Sequence, residues 1–490
     1  MDRLLRQPFA SIATVVLTLL AAAAFAPAAH AELQAGAATS NITPDIGGEI
    51  IGGFVPFPSV HIHDDLHART LVLDDGKTRI ALVVCDLLGI DRVVSELARE
   101  QIAKQHQLPR ENVLISATHT HSATSALGKH PRKLEQPADD YQRFVAKRIA
   151  DGVGRAIQNL RPAEIGFGTA EAPEHVFNRR WHMKPGTVPL NPFGGIDMVK
   201  MNPPRGNENL VEPAGPTDPT VSFLSVRDRD GVPIAVYAAY SLHYVGGVGR
   251  GHVSADYFAV FSEQLKSLLS REATLAQTAE SANKDLPPFV AMIANGTSGD
   301  INNIDFLHPQ PRKAAYEQIR HVGEDVAAKV HAALSSVKYS AEAPLATVYR
   351  EPTIAWRKLT EEETQWAKET LAAGRKSERD LSYIYAERAT RMMEYPETTT
   401  APLHVLRIGD TCIGTMPFEV FSEIGLEFKK RCPLPNGFMV ELAHGYFGYL
   451  PTPRQHRLGG YETWLGTNRV ERDASTKLLN ELLEMAKSLK

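Results

Sequence analysis

Cysteine is scarce: Cys85, Cys412 and Cys432 are the only three in 490 residues. So few thiols exclude a disulfide-stapled scaffold. Cys85 and Cys412 fall inside apolar runs and read as buried thiols, while a bridge involving Cys432 stays open. A surplus of one charge is also missing. Lys and Arg total 53 against 57 Asp and Glu, a formal net charge of -4. That balance leaves no basic footprint for nucleic acid or an anionic membrane surface. Beyond the N-terminus no apolar run approaches the roughly 20 residues needed to cross a bilayer, so no stable membrane span is expected. No internal repeat, heptad pattern or Pro/Ser linker divides the chain.

What is present begins with a leader. Arg3 and Arg6 precede an apolar run from Ile12 to Phe25, and Ala29-His30-Ala31 supplies small residues around a cleavage point. This order describes a secretory signal peptide over residues 1–31, so the mature protein is expected to be secreted or periplasmic. Residues 32–490 then form one expected domain, long enough to bury a large core.

Two-residue alternation and β-branched runs predict strands at Arg69–Leu73, Arg79–Asp86, Asn112–Ala117, Ile165–Thr169, Val221–Val226, Ile234–His243, Phe289–Asn295, Val405–Thr415 and Phe438–Ala443. Helical periodicity marks Arg92–His106, Asp140–Leu160, Tyr257–Ser270, Arg312–Leu334, Glu361–Leu371, Leu381–Tyr395 and Ala474–Leu489. The alternation points to an α/β fold, a central β-sheet core flanked by helices. Trp181–Pro219 and Tyr449–Gly466 are rich in Pro and Gly and read as long loops.

Four hydrophobic strands end in polar groups able to bind metal or move protons. They lead into His119-Thr-His121, into His243, into Asn295-Gly-Thr-Ser-Gly-Asp300-Ile-Asn302, and into Pro417-Phe-Glu419. Each has a plain structural explanation. A His-Thr-His triplet suits a solvated turn, and a lone strand-end histidine suits a satisfied core position. Glu419 suits the start of a helix, and the Gly-rich run lacks the Lys of a phosphate-binding loop. Taken together the four ends would converge on one crevice at the C-terminal ends of the strands, where open α/β sheets bind ligands, and a metal site there is one reading beside the structural ones. Imidazole and carboxylate are the usual zinc ligands.

The order of motifs resembles the catalytic domain of the neutral, non-lysosomal ceramidases. It runs from Gly36-Ala-Ala-Thr-Ser-Asn-Ile-Thr-Pro-Asp45 through His63-Asp64…His67-Ala-Arg69, Ser116-Ala-Thr-His119-Thr-His121, Asn178-Arg179, Gly215-Pro-Thr-Asp218 and Ser254-Ala-Asp256. Gly299-Asp300-Ile-Asn302-Asn303, Pro417-Phe-Glu419, Tyr446-Phe-Gly-Tyr449 and Tyr461-Glu462 complete it. The resemblance implies one Zn2+ held by His119, His243, Glu419 and Tyr449. It also implies a role in lipid, specifically sphingolipid, metabolism. Around that ion the assigned roles are proton transfer for His121, oxyanion hydrogen bonds for Tyr461 and Asn302, substrate orientation for Arg179, and support of a ligand imidazole for Asp300. Two departures shape the expectation. Asn302 stands where the family carries a catalytic Ser, and an amide cannot serve as that nucleophile. The chain also ends soon after the last motif, so the family's C-terminal immunoglobulin-like domain is expected to be absent. The expected activity is hydrolysis of an amide bond in an N-acylated, ceramide-like or smaller substrate by zinc-activated water. A zinc esterase or lactonase, or a silent binding protein of the same fold, are the alternatives.

Overall fold

The computed structural model describes residues 32–128, 136–276, 287–311 and 313–490, so the expected signal peptide lies outside the described residues. An eight-stranded sheet dominates. Its strands are β1 (Gln34–Asn41), β2 (His67–Asp74), β3 (Arg79–Cys85), β4 (Val113–Ala117), β5 (Arg161–Glu171), β6 (Thr220–Asp228), β7 (Pro233–Tyr240) and β8 (Val290–Asn295). The spatial order is β8-β7-β6-β5-β1-β2-β3-β4. The middle of the sheet is antiparallel, while the outer pairs β3/β4 and β7/β8 are parallel. Parallel neighbours need a crossover. Helix α1 (Arg92–His106) makes the first, and the second contains α3 (Asp256–Ala276); α2 (Asp140–Gln158) lies between them in sequence.

A second sheet was not foreseen. It has four strands, β9 (Leu345–Arg350), β10 (Leu403–Ile408), β11 (Thr411–Thr415) and β12 (Asn436–Val440), in that spatial order. The run expected as one strand over Val405–Thr415 is a hairpin, turned at Gly409, which holds a φ of 57°. Pairing of β11 with β12 is again parallel. Helices α4 (Glu317–Leu334), α5 (Glu361–Ala372), α6 (Leu381–Met393), α7 (Ser422–Arg431) and α8 (Ala474–Ser488) complete the set used below, and α7 bridges β11 to β12.

Side-chain alternation explains the layering. On β3, Ile80, Leu82 and Val84 point to one core and Ala81, Val83 and Cys85 to another. The first set meets Leu406, Ile408, Ile413, Phe438 and Val440, so the two sheets pack face to face. The second set packs with Val94, Ala98 and Ile102 of α1 and with Val145, Ile149 and Val153 of α2. Helices α3 and α4 cover the other half of the large sheet. The outer face of the small sheet, with Leu403, Val405 and Met439, packs on α6, α7 and α8. Burying each Leu or Val contributes about 1.5–3 kcal/mol, which is why these faces specify the stack. The three cysteines are free thiols. The expected loop Trp181–Pro219 contains a three-stranded sheet of Arg180–Met183, Val199–Met201 and Leu210–Pro213. No described helix is long and apolar enough to cross a membrane.

Candidate metal centre and cavity

Three strand–helix–strand units deliver their loops to one point. His119 follows β4, His243 follows β7, and Glu419 stands between β11 and α7. Each of the two histidines lies a few residues past its strand, since β7 ends at Tyr240 rather than at His243. Pairing of Glu419-Val420 with Tyr449-Leu450 in a short parallel bridge brings Tyr449 beside Glu419. Gly299 makes room for this segment, because a Cβ there would lie 2.5 Å from the Glu419 carbonyl oxygen.

His119 Nδ1 faces the Leu88 carbonyl at 2.6 Å and His121 Nδ1 faces the Gly52 carbonyl at 2.7 Å. His243 Nδ1 lies 3.2 Å from the Ser298 carbonyl. A carbonyl only accepts, so each Nδ1 carries the proton and each Nε2 presents a lone pair. Those lone pairs converge. His119 Nε2 is 3.1 Å from His121 Nε2 and 3.3 Å from Glu419 Oε2, and His243 Nε2 is 3.6 Å from the same carboxylate oxygen. His243 Nε2 and Glu419 Oε2 are buried without any hydrogen-bond partner. Acceptors gathered at this spacing with no donor among them repel one another unless a cation joins them. Two imidazoles and a carboxylate match the nitrogen and oxygen ligands of zinc and similar divalent metals.

The surroundings hold these groups in place. His119 adopts a φ of 71°, with its N–H donating to the Leu87 carbonyl at 2.9 Å. A left-handed histidine costs about 1–3 kcal/mol and persists only where neighbours enforce it. This turn aims His119 and His121 at one point. Tyr244 stacks on His121 with 3.8 Å between ring centroids. The Tyr446 hydroxyl donates to Glu419 Oε1 at 2.6 Å. Behind His243, Ser298 Oγ lies 3.3 Å from Nδ1 and donates to Glu441 Oε1 at 2.7 Å. Burial works to raise the Glu419 carboxyl, while the Tyr446 and Tyr449 hydroxyls work to lower it. Burial, then the neighbouring His119, push His121 down to about 3, so its imidazole is neutral.

A cavity of about 540 Å3 opens onto this cluster. His119, His121, Arg179, Asn302, Glu419, Tyr449 and Tyr461 line it, while His243 lies behind its wall. Tyr461 meets Tyr449 edge-on with 5.6 Å between centroids. Arg179 Nε donates to Glu462 Oε1 at 2.8 Å, and its Nη2 has no partner. Burial works against the Arg179 charge, yet Tyr449 and Glu462 more than offset it. Asn302 Nδ2 donates to Asn202 Oδ1 at 2.6 Å, leaving its second N–H.

Asp300 departs from expectation. Its Oδ1 accepts from the Ser422 N–H and its Oδ2 from Asn178 Nδ2, both at 2.8 Å. It therefore fastens the start of α7 instead of a ligand imidazole. The reason is direction: Asp300 follows Gly299 where the chain passes the α7 N-terminus, whose free N–H groups attract a carboxylate. Burial is the main cause that pushes its carboxyl up to about 6. Tyr244, Ser298, Glu441 and Tyr446 were not singled out in the sequence. Tyr446 carried a signal, since it lies three residues before Tyr449 in the same motif. Glu441 and Ser298 carried none, being a carboxylate and a hydroxyl joined across 143 residues.

Comparison with known proteins agrees with this architecture. The family profile described as neutral/alkaline non-lysosomal ceramidase, N-terminal, matches residues 34–305. That stretch includes His119, His121, Arg179, His243, Asp300 and Asn302. A crystal structure of neutral ceramidase from Pseudomonas aeruginosa shares the fold at 17% identity, with a TM-score of 0.66 over 94% of this chain and 74% of that one. A ceramidase complexed with C2 matches likewise, at 17% identity and a TM-score of 0.66, over 94% of this chain and 75% of that one.

Proposed function

This chain belongs to the neutral/alkaline non-lysosomal ceramidase family, and on that premise we propose that it is an exported, zinc-dependent hydrolase of amide bonds in N-acylated, ceramide-like or smaller substrates. One observation carries the metal: the His119 Nε2, His243 Nε2 and Glu419 Oε2 acceptors meet with no donor between them. Tyr449 is the fourth ligand in this reading. Zinc bound there would polarise the substrate carbonyl and acidify water towards neutrality.

The chain's own groups supply the rest. His121 turns its Nε2 lone pair towards the cluster, so it is placed to accept a proton from the attacking water and pass it to the leaving nitrogen. The Tyr461 hydroxyl and the second N–H of Asn302 donate to the oxygen on which charge develops. The free Arg179 Nη2 orients a polar substrate group. No acyl-enzyme forms, because Asn302 stands where relatives carry Ser. The same donors would serve an ester or lactone. A panel of N-acyl amides, esters and lactones, run with a chelator and with metal analysis of the purified protein, tests the reading. Zinc near one per chain with chelator-sensitive amide cleavage supports it. Metal-free protein with full turnover overturns it. Export is tested by mass analysis of protein from a secreting host, with loss of residues 1–31 expected.

A further inference from the structure

Arg388 is a buried cation with no ion-pair partner among the described residues. It lies on α6, on the wall of the cavity, and is 7% exposed. Its Nε is buried with no hydrogen bond, and among the described residues no carboxylate pairs with it. Its guanidinium carbon sits 5.2 Å from the Phe54 ring centroid and 4.8 Å from that of Tyr385. Gly466, at a φ of 91°, backs its stem so closely that a Cβ would lie 2.8 Å from Arg388 Cβ.

Each of the other buried arginines among the described residues has a carboxylate or carbonyl partner, although Arg179 keeps one nitrogen free. Arg69 pairs with Asp86, Arg99 with Glu96, and Arg179 and Arg180 share Glu462. Arg469 donates to the Phe447 and Tyr446 carbonyls at 3.2 and 2.7 Å. A guanidinium stays charged at any physiological pH, and a buried charge is costly unless something pairs with it. Ring faces offset part of that cost. They leave the N–H fork unfilled, and that fork suits a carboxylate, phosphate or sulfate. Charge at the cavity rim as a whole does not decide the matter, since Glu49 and Glu387 oppose Arg375 and Arg391 there. The unfilled fork does.

Arg388 shares the cavity with the candidate metal centre. Phe54 touches both Arg388 and Tyr461, the latter with 6.0 Å between ring centroids, and Tyr461 touches Tyr449 beside Glu419. We propose that the substrate is an N-acyl amide bearing an anionic group on the part that reaches the Phe54 side of the cavity, and that Arg388 binds this group. The inference rests on the amidase reading above and narrows its N-acylated substrates to anionic ones.

The test compares three matched N-acyl amides: one with a carboxylate on the amine part, one with a phosphate on the amine part, and one neutral. The wild-type kcat/KM should favour one or both anionic members over the neutral one. In Arg388→Gln that ratio should fall about ten- to a hundredfold, the usual loss for a charged hydrogen bond. Arg388→Lys should retain part of the preference. A neutral-preferring wild type, or an unaltered ratio in Arg388→Gln, overturns the proposal. The arm with the larger ratio tells carboxylate from phosphate. Equilibrium binding of an N-methylated, hydrolysis-resistant anionic amide separates the two claims. Binding weakened in Arg388→Gln, with no amide cleaved by any form, keeps the anion site and discards the amidase reading. Binding indifferent to Arg388 discards the anion site, whatever the turnover.

Discussion

Two buried histidine clusters lie in this molecule, and they are wired in opposite ways. Around Glu419, each imidazole faces a carbonyl through Nδ1 and turns its Nε2 towards the others. Behind α1, His404 and His444 form a closed chain. Thr347 Oγ1 meets His404 Nε2 at 2.6 Å, His404 Nδ1 meets His444 Nε2 at 3.1 Å, and His444 Nδ1 meets Ser95 Oγ at 3.2 Å. Every ring nitrogen there has a neighbour able to donate or accept. Burial alone does not distinguish the clusters. The unfilled lone pairs do, and they mark the first as a place for a cation and the second as a structural core. A third group, Glu174, His175 and Asp325, already contains its cation, because Lys329 reaches both carboxylates.

Exchanging residues between the clusters should give the largest contrast. His119→Ala or His243→Ala should empty the metal and abolish turnover, since too few ligands remain for tight binding. His404→Phe should keep the metal. Zinc measured by plasma mass spectrometry settles both, and equal zinc in all three variants would break the comparison. Next comes Asn302, which lines the cavity near the first cluster and holds no metal in this reading. Asn302→Ala should lower kcat about a hundredfold with zinc retained, the usual effect of losing one preorganised donor. Wild-type kcat on the best substrate would remove Asn302 from the reacting centre. A smaller effect should follow from Ser298→Ala, which strips His243 of its link to Glu441. Zinc affinity should weaken about ten- to a hundredfold, as for other groups that orient a ligand imidazole. Ser95→Ala, the matching change in the closed chain, should leave zinc affinity alone. Competition with a chromogenic chelator reads both.

The strands that end in these groups were legible because their apolar runs are dense. Expected and observed limits agree closely for β3, β4, β8 and α1. β1 was missed because Gln34–Asn41 is made of small and polar residues with little β preference, and its strand state comes from pairing along its whole length with β2. The small sheet was missed for a related reason. Gly409-Asp410 interrupts the apolar run too briefly to show as a turn, and the facing of two sheets is a long-range property. At the candidate site, His119, His121, His243, Glu419 and Tyr449 could be named from motif order. The proton positions on their rings could not, since these depend on the carbonyls of Leu88, Gly52 and Ser298 far away in sequence. Arg388 could not be singled out either, because its interest lies in a missing partner.

The closed cluster should also show in the pH dependence of stability, the smallest and most specific of these effects. Burial, reinforced by Arg99, lowers His404 to about 3, and burial with His404 lowers His444 in the same direction. Both are neutral in the folded state, whereas the unfolded chain takes up protons below its ordinary value of about 6.5. Their contribution to stability is therefore complete above about pH 6.5 and is lost as pH falls towards 3, at about 1.4 kcal/mol per pH unit for each histidine. His404→Phe should cost about 1–3 kcal/mol at neutral pH, because Thr347 and His444 lose their partner. It also removes one acid-sensitive group, so its stability should fall less steeply on acidification. The two curves should draw together near pH 5. Urea unfolding of metal-free protein from pH 7.5 to 4.5 measures this, because contributions from the first cluster then cancel between wild type and variant. Parallel curves would mean that His404 is not held neutral by the fold, and the distinction between an open and a closed cluster would lose its energetic content.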